Sequence, residues 1–178
     1  MTDRPYLNLL INKDDIDVRV RNLAAQIAQD LKGRPTLLVG LLKGSVVFLS
    51  DLIRGLSANG LEPELDFMMT TSYGESTEPS ETVEITLDIR SPLKGKTVLL
   101  VEDIVDTGGT LAEVVKRVES KSPDRILTCA LLDKPSRRKF DVKPDYVGFE
   151  IEDVFVVGYG LDAGGKYRGL PYIASISE

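Results

Sequence analysis

Val98-Leu99-Leu100-Val101-Glu102-Asp103-Ile104-Val105-Asp106-Thr107-Gly108-Gly109-Thr110-Leu111 is the stretch on which the fold turns. Thr97 to Val101 is apolar throughout, as a central parallel strand covered on both faces should be. Three carboxylates follow, then hydroxyl and glycine residues, and then Leu111, Val114, Val115 and Val118 recur at helical spacing. A strand running through a small-residue turn into a helix is the unit of an open α/β sheet. Ligands of such sheets bind beyond the carboxyl ends of the strands. Gly108 and Gly109 allow a close backbone approach, and the helix start offers unpaired N–H groups. Together with the hydroxyls of Thr107 and Thr110, that arrangement suits a phosphate.

Glu102, Asp103 and Asp106 conflict with an anion at first sight. Two like charges ~4 Å apart cost about 1 kcal/mol in water and ~4 kcal/mol near a protein surface. The conflict is relieved if Glu102 and Asp103 face the hydroxyls of a sugar and a Mg²⁺ ion, with the phosphate beyond them. Mg²⁺ is commonly held by one or two carboxylates together with substrate oxygens and water. A helix start with acids favouring its dipole explains one acid there, but explains two adjacent acids at a strand end poorly.

Working outward, Asn12 reads as an N-cap with Asp14 and Asp15 in the first turn. Ile16, Val20, Leu23, Ile27 and Leu31 then mark one helix face, which Gly33 stops. Residues 36–41 read as a buried strand, followed by the turn 42–45 and a helix carrying Val46, Leu49, Ile53 and Leu56. A second strand is expected at 64–71, and 74–80 reads as a polar, acidic mobile loop. Val83, Ile85, Leu87 and Ile89 alternate with polar residues as in a half-exposed strand. Further strands are expected near 125–132, 145–149, 154–158 and 172–176, the late ones forming a small appended lobe. Alternating strands and helices give an α/β fold with a mostly parallel sheet flanked by helices.

The 178 residues fit about one domain, and 42% hydrophobic content supports a real core. With 22 basic and 28 acidic residues the net charge is −6, which argues against a nucleic-acid or anionic-membrane binder. There is no histidine, which excludes His-based nucleophile activation and His-ligated zinc or haem. The lone Cys129 lies in an apolar run and reads as a buried, inert thiol. The N-terminal residues lack the pattern of a signal peptide and the longest apolar region is too short to span a bilayer, so a cytoplasmic location is expected.

The central motif resembles the phosphoribosyl-pyrophosphate binding motif of the type I phosphoribosyltransferases, and within that family it is most similar to the hypoxanthine-guanine group. The resemblance runs from Leu37 to Tyr172. It is carried also by Val39-Gly40-Leu41-Leu42-Lys43-Gly44-Ser45, Ser72-Tyr73-Gly74, Leu132-Asp133-Lys134-Pro135-Ser136-Arg137-Arg138 and Phe155-Val156-Val157-Gly158-Tyr159-Gly160-Leu161-Asp162. It implies one domain over 1–178, with a core at about 35–150 and a hood formed by the N-terminal segment and about 151–178.

The implied activity is Mg²⁺-dependent transfer of the phosphoribosyl group to a 6-oxopurine base. The resemblance gives Glu102 and Asp103 the ribose hydroxyls, with magnesium close by, and makes Asp106 the general base near N7. Amides of Asp106, Thr107, Gly108, Gly109 and Thr110 would take the 5′-phosphate. Lys43, Gly44 and Arg168 would bind pyrophosphate, after a Leu42-Lys43 peptide bond that is often cis in the family. Lys134 would donate to O6, Phe155 would stack on the purine, and the Val156 backbone would pair with the base edge. Asp162 would reach a second magnesium through water, and Ser72 and Tyr73 would open the lid. A homodimer or homotetramer is implied as well.

Ala163-Gly164-Gly165 departs from the bulkier residue many relatives carry after the motif's last aspartate, and bears on base preference and on the Asp162 and Arg168 contacts. Arg137, Arg138 and Lys139 read as a basic turn with no assigned ligand. Gly158-Tyr159-Gly160-Leu161-Asp162-Ala163 matches a dinucleotide fingerprint but lacks its βαβ context, and Gly95-Lys96-Thr97 precedes its strand where a P-loop would follow one. The competing readings are a nucleotide-sensing RNA- or DNA-binding regulator, a transferase for xanthine or a pyrimidine, and a phosphosugar-binding domain without catalysis.

Overall fold

The computed structural model describes residues 6–73 and 82–177. The expected loop at 74–80 lies outside them. Elements run β1 (Tyr6–Ile11), α1 (Lys13–Asp30), β2 (Thr36–Leu42), α2 (Val46–Ala58), β3 (Glu64–Tyr73), β4 (Thr82–Leu87), β5 (Thr97–Val105), α3 (Gly109–Glu119), β6 (Arg125–Asp133), β7 (Tyr146–Glu150), β8 (Val156–Val157) and β9 (Ile173–Ser177). A 3-10 turn at Pro135–Arg137 joins β6 to the segment before β7.

The larger sheet has the order β4-β3-β2-β5-β6-β7, parallel except for β4. Chain order reverses between β2 and β5: β2 leads through α2 to β3 on one side, while β5 leads through α3 to β6 on the other. Such a switch point opens a crevice at the carboxyl ends of the two strands. α1 and α2 pack over one face with Phe48, Leu52 and Leu99 among the shared core, and α3 covers the other with Val114 and Val118 against Val98 and Leu100. Each large apolar side chain fully buried in this way contributes ~1.5–3 kcal/mol relative to exposure.

Local sequence explains the ends of α1. Asn12 caps it through an Oδ1 that accepts the Asp15 N–H at 2.9 Å, and Ile16, Val20, Leu23 and Ile27 are buried as the spacing predicts. α2 departs from expectation. Its buried face is Phe48, Leu49, Leu52 and Leu56, whereas Val46 is 45% exposed and Ile53 is half-buried. The layer built by α1 fixes which side of α2 is covered, and a helix this apolar offers more than one stripe.

β5 does not stop at Val101, because its pairing with β6 continues through Glu102↔Ala130 to Val105↔Asp133. The two acids are therefore strand residues. β3 runs to Tyr73, two residues past the expected end. β8 shrinks to Val156–Val157, since Val154 N–H turns back onto the Glu152 carbonyl at 2.9 Å and Gly158 bridges to Leu161. No helix follows Gly158 among the described residues, so the dinucleotide fingerprint stays without its context. β1, for which the sequence reading gave no strand, pairs antiparallel with β9, and with β8 they form a separate sheet in the order β1-β9-β8. Cys129 is buried, and burial pushes its thiol up to about 12, so it is inert as expected.

Candidate functional site

β5 carries Glu102 and Asp103 to the switch point. Glu102 is buried in the strand, its Oε2 has no hydrogen-bond partner, and burial with the nearby Asp103 charge pushes it up to about 8 against the opposing pull of Arg138. Burial likewise raises Asp103 to about 6, although its own and the Ile104 amide and the Arg168 charge pull the other way. The turn after β2 comes within contact of these acids. A Cβ on Gly44 would sit 1.8 Å from Asp103 Oδ2, and one on Gly160 would sit 2.1 Å from the Gly44 carbonyl oxygen. Only glycine fits where these backbones meet. The Leu42-Lys43 peptide bond is cis.

Gly108, at φ 88°, is the N-cap of α3 and supplies no side-chain bond; Thr107 Oγ1 accepts the Gly109 N–H at 3.4 Å, and the first-turn N–H groups have no intrahelical acceptor. A cavity of about 390 Å³ lies over this turn. It is lined by the whole run 102–111, the end of β2 with Gly44, Thr70 and Arg137. The acids and the amide-rich turn thus face one hollow, as the motif predicts.

Residues 137–142 buttress that turn. Lys139 and Phe140 N–H groups donate to the Thr107 carbonyl at 2.9 and 3.2 Å, and the Phe140 ring covers Gly109. Arg138 donates to the Asp106 carbonyl at 2.6 Å and pairs with Asp133. Arg137 Nε lies 3.1 Å from Asp106 Oδ1. These contacts give the basic turn a role that sequence reasoning missed: neither arginine lies near 106 in the chain, and only the folded path of 134–142 brings them there. Their signal was the unbroken Arg137-Arg138-Lys139 run beside Lys134.

Lys134 is buried, its N–H bonds the Val105 carbonyl at 2.9 Å, and its Nζ lies 3.6 Å from Asp106 Oδ2. Lys43, Phe155, Val156, Asp162 and Arg168 are not among the residues that line the hollow. Phe155 is 60% exposed and Val156 is buried in β8. Lys43 is exposed at the β2 turn. Asp162 is paired with Arg168 at 2.6 Å and accepts the Gly165 N–H at 2.7 Å, so the departure at 163–165 forms the turn that holds Asp162. Arg168 also donates to the Gly160 carbonyl at 2.7 Å. Ser72 and Tyr73 end β3, with Thr70 of that strand on the hollow itself. Among the described residues no three acids converge as a ready-made metal cage.

A mostly parallel α/β sheet thus brings buried acids and the N-terminus of α3 to one crevice at its switch point. The family model for the phosphoribosyl transferase domain matches residues 11–163, and the chain belongs to that family, with its type I fold. It is 42% identical to a hypoxanthine phosphoribosyltransferase of Haemophilus influenzae over 174 residues, covering 96% of both chains. It is 42% identical to a hypoxanthine-guanine phosphoribosyltransferase of Staphylococcus aureus over 168 residues, covering 94% and 92%. A crystal structure of a hypoxanthine phosphoribosyltransferase from Staphylococcus aureus superposes with a TM-score of 0.90 at 41% identity, covering 96% of this chain and 91% of that one. A Trypanosoma cruzi hypoxanthine phosphoribosyltransferase in a ternary substrates complex gives 0.90 at 35% identity, covering 97% and 96%.

Proposed function

We propose that the protein is a purine-salvage enzyme that transfers the 5-phosphoribosyl group from phosphoribosyl pyrophosphate to N9 of hypoxanthine, and of guanine, giving IMP or GMP and pyrophosphate. The observation that carries this reading is the hollow shared by Glu102, Asp103 and the turn 106–110, with Lys134 Nζ 3.6 Å from Asp106 Oδ2. The relatives' names support the base.

Amides of Asp106 to Thr110 hold the 5′-phosphate, which the α3 N-terminus favours. Glu102 and Asp103 receive the ribose hydroxyls. Their all-oxygen donor set and the orphaned Glu102 Oε2 fit a hard cation, and Mg²⁺ held there, with Asp162 reached through water, would neutralise charge on the diphosphate. Asp106 takes the proton that the base gives up as N9 bonds to the sugar carbon and the pyrophosphate leaves. Lys134 donates to O6 of a 6-oxopurine. Adenine would set an amino donor against that ammonium, which costs the hydrogen bond and leaves donors opposed. Lys43, Gly44 and Arg168 take the leaving pyrophosphate, Phe155 stacks on the base, and Val156 pairs with its edge. Ser72 and Tyr73 lead into the lid that excludes water.

The chain acts as one domain with a hood built from its N-terminal segment and residues 151–178, works in the cytoplasm, and assembles as a homodimer or homotetramer. No helix among the described residues is long and apolar enough to cross a membrane. Initial rates with phosphoribosyl pyrophosphate, Mg²⁺ and each of hypoxanthine, guanine, xanthine, adenine and uracil test the reading. Pyrophosphate release should require hypoxanthine or guanine, and adenine should be at least ~10²-fold poorer. Release that ignores the added base would overturn it.

A further inference from the structure

Asp153 lies in the loop before β8, where nothing in the motifs points to it. Its Oδ1 is 3.7 Å from Lys134 Nζ, and its Oδ2 is 3.4 Å from Arg137 NH1. Asp106 faces the same two cations, at 3.6 Å from Lys134 and 3.1 Å from Arg137. The four groups close a ring in which acid and base alternate. Two corners belong to the turn 134–137, one to the phosphate-facing turn and one to the loop leading to Phe155.

The ring poses a problem once a base is bound. The Lys134 side chain is only 6% exposed, so its ammonium needs a partner at all times. A purine that engages Asp106 through its ring nitrogen draws that carboxylate away from Lys134. Asp153 is the acid that does not take part in the transfer and stays. It also ties Lys134 to the segment that leads through Phe155 into β8, so the O6 donor and the stacking face keep a fixed spacing.

We propose that Asp153 is the positioning residue for Lys134, holding the ammonium toward the 6-oxo group while Asp106 serves the proton. The inference rests on the reaction proposed above. Arg137 closes the ring from the other side, pairing with both Asp153 and Asp106.

Asp153→Asn keeps the shape of the side chain and removes its charge. Steady-state kinetics should show KM for hypoxanthine raised ~3–5-fold, the size expected for losing a partly exposed charge partner. Turnover should fall less than ~3-fold and KM for phosphoribosyl pyrophosphate should stay within ~2-fold, because Asp153 touches neither the transfer nor the phosphate turn. Asp153→Glu should recover most of the lost hypoxanthine affinity. A merely structural residue would move both KM values and the melting temperature together, and that result overturns the inference. So does an unchanged KM for hypoxanthine in Asp153→Asn when the wild type is active. A wild-type enzyme with no purine-dependent pyrophosphate release overturns the reaction itself and this inference with it.

Discussion

β5 lines the hollow and β8 lies outside its lining, and the two strands are built in opposite ways. β5 has nine residues, is hydrogen-bonded by β2 on one side and β6 on the other, and is buried along almost its whole length. β8 has two residues, lies at the edge of the small sheet, and is bonded only by β9. The acid-bearing side of the hollow therefore stands on a segment that can open only with the core itself. The region around β8 stands on turns, ion pairs and the exposed Phe155 ring. On the proposed function, the fixed part would take the phosphorylated sugar and the adjustable part the base.

The contrast is most directly broken where the two regions touch. A methyl group on Gly160, at φ +104°, would lie 2.1 Å from the Gly44 carbonyl oxygen. Gly160→Ala should cost ~3 kcal/mol of stability, read by urea unfolding, because strain and a backbone clash add. An unchanged midpoint would mean that the small lobe is not locked to the β2 turn.

Asp106→Asn tests the fixed region without disturbing it. Turnover should fall ~10²-fold or more, equivalent to about 2.7 kcal/mol, while the melting temperature and nucleotide affinity hold. Full turnover would remove Asp106 from the mechanism.

The buried acids supply a pH test. Folding raises Glu102 to about 8 and Asp103 to about 6, above their unfolded values. The stability linked to them is complete below the unfolded carboxylate range and is lost as pH rises through the folded values. Ligand-free protein should thus be less stable at pH 8 than at pH 5, read by urea unfolding, and Glu102→Gln should remove most of that difference. A variant with the wild-type slope would place the titration elsewhere.

The smallest effect belongs to the adjustable region. Phe155 is 60% exposed, so Phe155→Ala should change stability by no more than ~0.5 kcal/mol. The same change should raise KM for the purine ~5–10-fold through the lost stacking. Equal losses in stability and affinity would make Phe155 a packing residue instead.

Much of the fixed region was legible from the chain alone. The apolar run into Glu102 and Asp103, the small-residue turn and the α3 stripe are neighbours in sequence, and their periodicity states their geometry. The α1 cap at Asn12 could be read for the same reason. The adjustable region was less legible. Val154-Phe155-Val156-Val157 reads as a longer strand than the two residues that pair, because the turn at Glu152 competes with the sheet. Tyr6, Leu9 and Leu10 give no alternating burial, so β1 carries no clear period.

The sequence by itself determined the parallel α/β class, the acid-bearing strand end, the amide turn and the absence of imidazole chemistry, since each follows from residue type and short-range spacing. Tertiary structure alone decided which side of α2 is buried, that β1 closes the small sheet, and that Asp153, Arg137 and Arg138 gather around Asp106 and Lys134. Those outcomes depend on where separated segments meet, and a charge pair across dozens of residues leaves no periodic trace in the chain.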